Sequence, residues 1–541
     1  MLTLSESYAP MSKEEPLVEI TCGDALRQSA ALSPDAVALV EAIPGVGVGR
    51  RWTYSQLLAD AERAGRALLS RFEPGSHVAV WASNCPEWVI VQFGLALSGM
   101  VLVTVNPAYK PSELKYVLDQ SKAEGIFYQT GFRENDMGAA LDAVKDDLPN
   151  LTEIICLTEF QAFLESGTGD RAFPAISAHD PMMIQYTSGT TGFPKGALLH
   201  HYGVANNARL VALCRGAGPD GVDISPMPLF HTGGCVVGVL GSIQTRRTLV
   251  LMSAFEPDLL LDLIESEHAE YLFGVPTMLV ALLEAQQTKP RDLSSLKVVA
   301  SGGATVPVDL VKRIERELGA SLSIAFGQTE TSPAITMVKL DDSPVDKSES
   351  LGRPLAHTEV KIIDPDTGAT LPIRETGELC TRGYLVMKGY FDNEEATSAT
   401  IDAEGWLHTG DLCSMDARGY CYVEGRLKDM IIRGGENIYP REIEECLFTH
   451  PAIAEVAVVG IPDARWGEQV AAFLRFNEGR SARAAELHDY IRESLASHKT
   501  PKIWVSVEQL PLTASGKIQK YMLKDLYQQG ELRPNLDGMN G

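Results

Sequence analysis

From residue 77 to residue 129, short β-rich runs alternate with helical stretches without a break. His77 to Ala82 reads as a strand, Pro86 to Ser98 as a helix and Val101 to Val105 as a strand. Pro111 to Lys122 then reads as a helix and Gly125 to Gln129 as a strand. This order predicts parallel pairing, because consecutive parallel strands need a crossover and a helix is the usual one. The fold class expected is therefore α/β, with helix-covered and mostly parallel sheets in a large N-terminal domain. The pattern resumes at Glu256-Pro257, which opens a helix with Leu259, Leu260, Leu263 and Ile264 on one face. Tyr271 to Val275 follows as a candidate strand.

From about Leu351 to Val423 the character changes to short alternating segments, among them Glu359 to Ile363 and Glu378 to Thr381. Gly, Asp and Pro turns separate them, so a small antiparallel β subdomain is expected. Beyond Arg426 the pattern is mixed: a helix from about Pro440 to Phe448, strands near Val456 to Val459 and Val470 to Phe476, and a helix from Ala482 to Ala496. A chain of 541 residues needs more than one core. The division expected is an N-terminal domain over 1–425, a hinge at 426–430 and a small mobile α+β domain over 431–541.

The net charge of −24 argues against nucleic acid and against a broad anionic membrane surface, since both need clustered Lys and Arg. Nine scattered cysteines show no CxxC pair and no metal-ligand spacing, which reads as packed, reduced thiols. The first residues carry Glu6, Glu14 and Glu15 and no apolar h-region, so no leader peptide is expected and the location expected is cytoplasmic. Val89 to Val105, the most apolar window, contains Gln92, Ser98 and Thr104 and stops at Asn106-Pro107. A buried helix followed by a strand fits it better than a membrane span. The sequence is silent on oligomeric state.

Chemistry concentrates first in Tyr186-Thr-Ser-Gly-Thr-Thr-Gly-Phe-Pro-Lys-Gly196, directly after the apolar run Met182 to Ile184. Three glycines let backbone N–H groups approach a polyphosphate; four Ser/Thr hydroxyls and Lys195 add donors and positive charge. A polar surface turn is the alternative. The spacing is not that of the Walker loop, because Pro194 precedes Lys195 and Gly196 follows it.

This motif resembles the phosphate loop of the adenylate-forming superfamily: acyl-CoA synthetases, aryl-CoA ligases, firefly-type luciferases and peptide-synthetase adenylation domains. Four further motifs match in order and spacing, so the resemblance spans roughly residues 20 to 525. The resemblance implies ATP contacts from Thr187, Ser188, Gly189, Thr190, Thr191, Gly192, Lys195 and Gly196. The turn Ser301-Gly-Gly-Ala304 would set Gly303 and Ala304 against the adenine and the acyl group. In Phe326-Gly-Gln-Thr-Glu330, Phe326 would stack on adenine, with Gly327 and Gln328 beside it. Thr329 would touch phosphate and Glu330, with Thr190, would hold Mg²⁺, a hard cation suited to oxygen ligands. Asp411, in Leu407-His-Thr-Gly-Asp411, would accept the ribose hydroxyls, with Arg426 on ribose or phosphate. Lys428 matches the hinge position, and Gly434-Gly435 would line the CoA channel. Lys517, in Leu512-Thr-Ala-Ser-Gly-Lys517, matches the lysine that bridges carboxylate and α-phosphate. His231 matches the gating aromatic beside the carboxylate. No acidic residue follows it in Thr232 to Val237, which disfavours an amino-acid substrate.

The activity implied is an ATP-dependent acid–CoA ligase, consuming ATP with Mg²⁺ and CoA. A carboxylate would attack the α-phosphorus to give an acyl-adenylate and pyrophosphate, and CoA would then displace AMP. Phe273 to Thr277, Ser301 to Ala304 and Thr331-Ser332 are apolar or small and lack Arg and Lys. They fit a monocarboxylic fatty acid of medium or long chain. An aryl or alicyclic acid, a carrier protein as acceptor, and a non-catalytic nucleotide-binding regulator remain the alternatives.

Overall fold

The computed structural model of the chain describes residues 3–167, 171–187, 194–303, 306–434, 436–463, 465–512 and 518–536. Two large sheets carry the N-terminal part. Within a nine-stranded sheet, the six strands from Ser321–Gly327 through Val298–Gly302, Tyr271–Phe273, Val222–Ser225 and Thr248–Met252 to Val37–Ile43 run parallel. Antiparallel strands close both of its edges. In a seven-stranded sheet, Pro181–Tyr186, Val101–Val105, His77–Trp81, Gly125–Tyr128 and Glu153–Cys156 are likewise parallel. The alternation read over 77–129 thus becomes part of the parallel core of the seven-stranded sheet, and the strand read at Tyr271 lies within that of the nine-stranded one.

Helices Cys22–Leu32, Tyr54–Leu69 and Pro86–Ser98 lie between the two sheets, and their apolar residues share one core with residues of both. The helix Pro86–Ser98 starts on a proline at its first position and stops at Gly99, whose φ of 73° suits glycine. All its residues but Glu87 are buried, which explains why its hydrophobicity runs all round rather than along a stripe. Where it crosses Tyr54–Leu69, a Cβ on Gly94 would stand 2.9 Å from Cβ of Ala64 and 3.2 Å from N of Gly65, so glycine sets the close approach. Among the described residues no helix is long and apolar enough to cross a membrane.

The small β subdomain is an antiparallel sheet of Thr358–Ile363, Gly377–Gly383, Leu407–Met415 and Cys421–Arg426. Tyr8–Ala9 adds an edge strand that local pattern does not announce. From Ile431 onward the chain forms a separate sheet around the long hairpin Ile453–Asp463 and Gly467–Phe476. Helices Pro440–Phe448 and Ala484–Ser494 cover one face, and Lys520–Gln528 covers the other. Three expectations shift in detail. The strand at Tyr271 ends at Phe273, because Gly274 and Pro276 turn the chain into the next helix. In Pro257–Ser266, Leu261 is buried where Leu259 is only half so, a rotation of the core face by about one position. The hairpin strands run several residues beyond their apolar centres, held by the ladder itself.

Candidate active site

A cleft of about 2040 Å³ opens between the C-terminal ends of the parallel strands, the small β subdomain and the C-terminal sheet. Binding crevices lie at this end of open α/β sheets because loops and backbone N–H groups converge there. The cleft is lined by Thr187, Lys195, His231, Gly303, Phe326, Gly327, Gln328, Thr329, Glu330, Asp411, Arg426 and Lys428. Residues scattered over more than two hundred positions of sequence therefore meet in one wall. Ser188, Gly189, Thr190, Thr191, Gly192, Ala304, Gly435 and Lys517 lie outside the described residues.

The glycine-rich motif joins two antiparallel strands, Pro181–Tyr186 and Gly196–His200, rather than a strand and a helix. Tyr186 pairs with Gly196, and Thr187 N donates to Lys195 O at 3.0 Å, so the two ends of the motif are clasped. A Cβ on Gly196 would stand 2.7 Å from the Ile184 side chain, which keeps this position glycine. Gly196 itself is buried behind the cleft wall. Nζ of Lys195 lies 5.0 Å from the centre of the Tyr390 ring, on the strand that pairs with Gly196–His200.

Phe326 and Gly327 end the strand Ser321–Gly327, and Thr329–Thr331 follows as a single 3-10 turn. The Thr331 hydroxyl donates to Gln328 O and accepts from Gln328 N, fixing this turn. Its Glu330 is buried at the cleft, and Oε1 accepts a 2.7 Å hydrogen bond from the Tyr390 hydroxyl. Burial, and then the Glu330 charge, hold the Tyr390 phenol well above its ordinary range, so it stays a donor. At the neighbouring strand end, a Cβ on Gly302 would sit 2.4 Å from Ala325 O, and Gly303 has φ of 75°. Both glycines are thus required by the backbone itself.

Asp411 lies on Leu407–Met415 directly opposite Arg426, and the two form a salt bridge of 3.0 Å. The turn before Asp411 is held by Glu378, whose Oε1 accepts from Gly410 N at 2.9 Å and whose Oε2 lies 2.9 Å from Nδ1 of His408. Lys428 sits in the short turn Leu427–Asp429 between two different sheets. Burial and the nearby Arg426 charge push its ammonium pKa below the usual lysine value. Gly434 is not part of the cleft wall. It has φ of 63°, and a Cβ there would meet the Trp466 ring at 2.9 Å.

His231 precedes Gly233–Leu240, a π-helical segment that periodicity gives no sign of. Such segments are rare and collect at functional sites. Its Nδ1 accepts from Gly233 N at 3.1 Å. A Cβ on Gly234 would stand 2.3 Å from Pro228 O, so the glycines here allow the tight entry into the segment. Sequence reasoning missed Tyr390 and Glu378, whose importance arises only from strand pairing. The small antiparallel subdomain and its segment Glu378 to Thr381 were legible, but the pairing of that strand with Leu407–Met415, and which side chains it brings together, were not.

This geometry defines a two-part α/β enzyme with an oxygen-rich, mixed-charge nucleotide cleft. The sequence profile of AMP-binding enzymes matches residues 26–391, and that of the AMP-binding enzyme C-terminal domain matches residues 442–517. The chain belongs to the AMP-binding enzyme family and is an AMP-forming acid–thiol ligase. It is 39% identical to a putative acyl-CoA synthetase, YngI, of Bacillus subtilis strain 168, over 94% of this chain and 97% of that one. It is 35% identical to the mitochondrial medium-chain acyl-CoA ligase ACSF2 of Bos taurus, over 94% and 88%. Among solved structures, ATP-bound MatB from Rhodopseudomonas palustris aligns with a TM-score of 0.85 at 27% identity, covering 94% of this chain and 99% of that one. The apo form of MatB, with the same identity and coverage, aligns at 0.76.

Proposed function

We propose that this enzyme joins a medium-chain monocarboxylic fatty acid to CoA through an acyl-adenylate, in the cytoplasm. The observation that carries the substrate is an uncharged branch of the cleft. Val211, Met227, Val237, Tyr271, Phe273 and Met337 line it and belong to one apolar cluster. In the strand register Gly302 stands four residues beyond Val298, which pairs with Tyr271. A medium-length acyl chain laid along these strands buries its methylenes against that apolar lining. Each buried methylene contributes about 0.8 kcal/mol, so a chain of this length gains affinity that a short acid lacks. The free state of all nine cysteines supports a reducing compartment.

The chemistry is positioning and electrostatics. The close backbone approach at Gly302 and Gly303 leaves room for a flat base against Phe326, and Asp411 offers a carboxylate for the ribose, with Arg426 beside it. Glu330, with Thr190, would hold Mg²⁺, whose oxygen-seeking chemistry suits them and which neutralises triphosphate charge when bound. Lys195 and the hydroxyls of the clasped motif would donate to the phosphates. Lys517 would orient the carboxylate for attack on the α-phosphorus; its flanks, Leu512 and Ile518, bridge each other and line the cleft. The P–O bond to pyrophosphate breaks as the acyl–O–P bond forms. Rotation of residues 431–541 about Lys428 would then withdraw Lys517 and bring Gly434 and Gly435 to the thiol's path. The higher likeness to ATP-bound than to apo MatB supports a domain arrangement suited to the first step. His231 would gate the approach to the carboxylate.

The test is pyrophosphate release with ATP and Mg²⁺ from butyrate, octanoate, palmitate and benzoate, each with and without CoA. Octanoate should dominate, and CoA should raise its turnover strongly. A dominant benzoate rate would overturn the fatty-acid reading; release that stalls despite CoA would overturn CoA as acceptor.

A further inference from the structure

Beside Asp411, on residues given no part in ATP binding, three metal-ligating side chains of different chemistry converge on the small β subdomain. Glu378 and Cys380 are two apart on the strand Gly377–Gly383 and so share one face. Cys380 pairs directly with His408 on the neighbouring strand. Nδ1 of His408 lies 3.5 Å from Sγ of Cys380 and 2.9 Å from Oε2 of Glu378, and all three ligand atoms fall within 4.8 Å of one another. We infer that Glu378, Cys380 and His408 form a binding site for a soft divalent ion of the Zn²⁺ class, stapling these two strands together.

The distances suit such an ion. Zinc bonds of about 2.0–2.3 Å place tetrahedral ligands roughly 3.3–3.8 Å apart. The Cys380–His408 separation already has that value; the Glu378 oxygen has to open by a few tenths of an ångström from His408 and settle at the same range from Cys380, within 4.8 Å of which it lies. The other imidazole nitrogen, Nε2, faces Asp402 at 3.7 Å. A carboxylate behind a histidine in this way orients the ring and raises its basicity toward a metal. Glu378 and His408 line the cleft, so an ion enters from solvent and a water completes its coordination. Oε1 of Glu378 keeps Gly410 N while Oε2 takes the ion, so the metal anchors the turn that leads to Asp411. Thiolate and imidazole discriminate against Mg²⁺, which separates this site from the oxygen-only chemistry around Glu330. On binding, the S–H bond breaks, its electron pair becomes the S–metal bond, and the proton leaves to buffer.

Chelator-treated full-length enzyme titrated with Co²⁺ tests this directly, without reference to ligase activity. One ion per chain should produce a near-ultraviolet thiolate-to-cobalt band and release one proton. Zn²⁺ should abolish the band and raise Tm by several degrees, because it binds only the folded pairing of strands. Cys380→Ser should lose the band and the Tm shift. His408→Gln should weaken cobalt binding at least tenfold, and it serves as the second variant should Cys380→Ser fold poorly. No band in the parent enzyme, or an equal band in Cys380→Ser, would overturn the site. A ligase that is active with Mg²⁺ but binds no cobalt at this site would sink this inference and leave the proposed function standing.

Discussion

The Tyr390 hydroxyl donates a 2.7 Å hydrogen bond to Glu330, and its ring lies 5.0 Å from Nζ of Lys195. One side chain therefore ties the clasped glycine motif to the carboxylate assigned to Mg²⁺. The link exists because Gly389–Tyr390 pairs with Gly196–His200, a contact nearly two hundred residues apart in sequence.

Tyr390→Phe should leave the fold intact and remove only that donor. A hydrogen bond to a charged group contributes about 1.5–3 kcal/mol, or roughly a 10–150-fold effect. The expected result is a loss of kcat/KM for adenylation in that range, partly recovered by raised Mg²⁺. Pyrophosphate exchange measured across a Mg²⁺ series checks it, and an unchanged rate would remove Tyr390 from the site.

Lys517→Ala separates the two half-reactions. A cation positioned on developing charge typically contributes ~10²–10³ in rate. Adenylation should fall by that factor, while synthesised acyl-adenylate supplied with CoA should still give thioester within a few-fold of the parent rate. Equal losses in both steps would instead point to a folding defect or to a role shared by both.

Part of the parallel core was legible because His77–Trp81, Val101–Val105 and Gly125–Tyr128 each carry an apolar run, and the helix Pro86–Ser98 announces both ends with Pro86 and Gly99. What escaped reading depends on pairing. Tyr8–Ala9 has no strand signal of its own and is ordered by Val360 and Lys361 opposite it. The π-helix at Gly233 has the composition of any buried helix. Glu378 and Cys380 carried no metal spacing in sequence, since His408 joins them only through the hairpin register. For the site, motif resemblance proposes Glu330, Asp411 and Arg426, whereas the salt bridge between Asp411 and Arg426 is a consequence of register that no motif states.

Ala300 lines the middle of the apolar branch, on the strand beside Phe273. Ala300→Leu should shorten the usable depth by a few methylenes at about 0.8 kcal/mol each. Turnover of octanoate should therefore drop by more than tenfold relative to butyrate. A parallel fall for all chain lengths would mean that the acid lies elsewhere.

Acid should weaken the fold through two adjacent histidines. His200 and His201 are both held down to about 4 from the ordinary 6.5, chiefly by burial. The hydrogen bonds agree: Nδ1 of His200 accepts from Gly203 N at 3.0 Å at the start of the helix His201–Cys214, and Nδ1 of His201 accepts from Cys22 N. A proton on either nitrogen would break that bond. Between pH 6.5 and 4 the unfolded chain thus binds more protons than the folded one. The stability these residues contribute is complete above pH 6.5 and is lost as pH falls toward 4, with a limiting slope of about 1.4 kcal/mol per unit for each. His200→Asn keeps an N-cap acceptor but cannot titrate. Its Tm should fall less between pH 7 and pH 5 than that of the parent, and an identical fall would show that His200 does not set this acid limb.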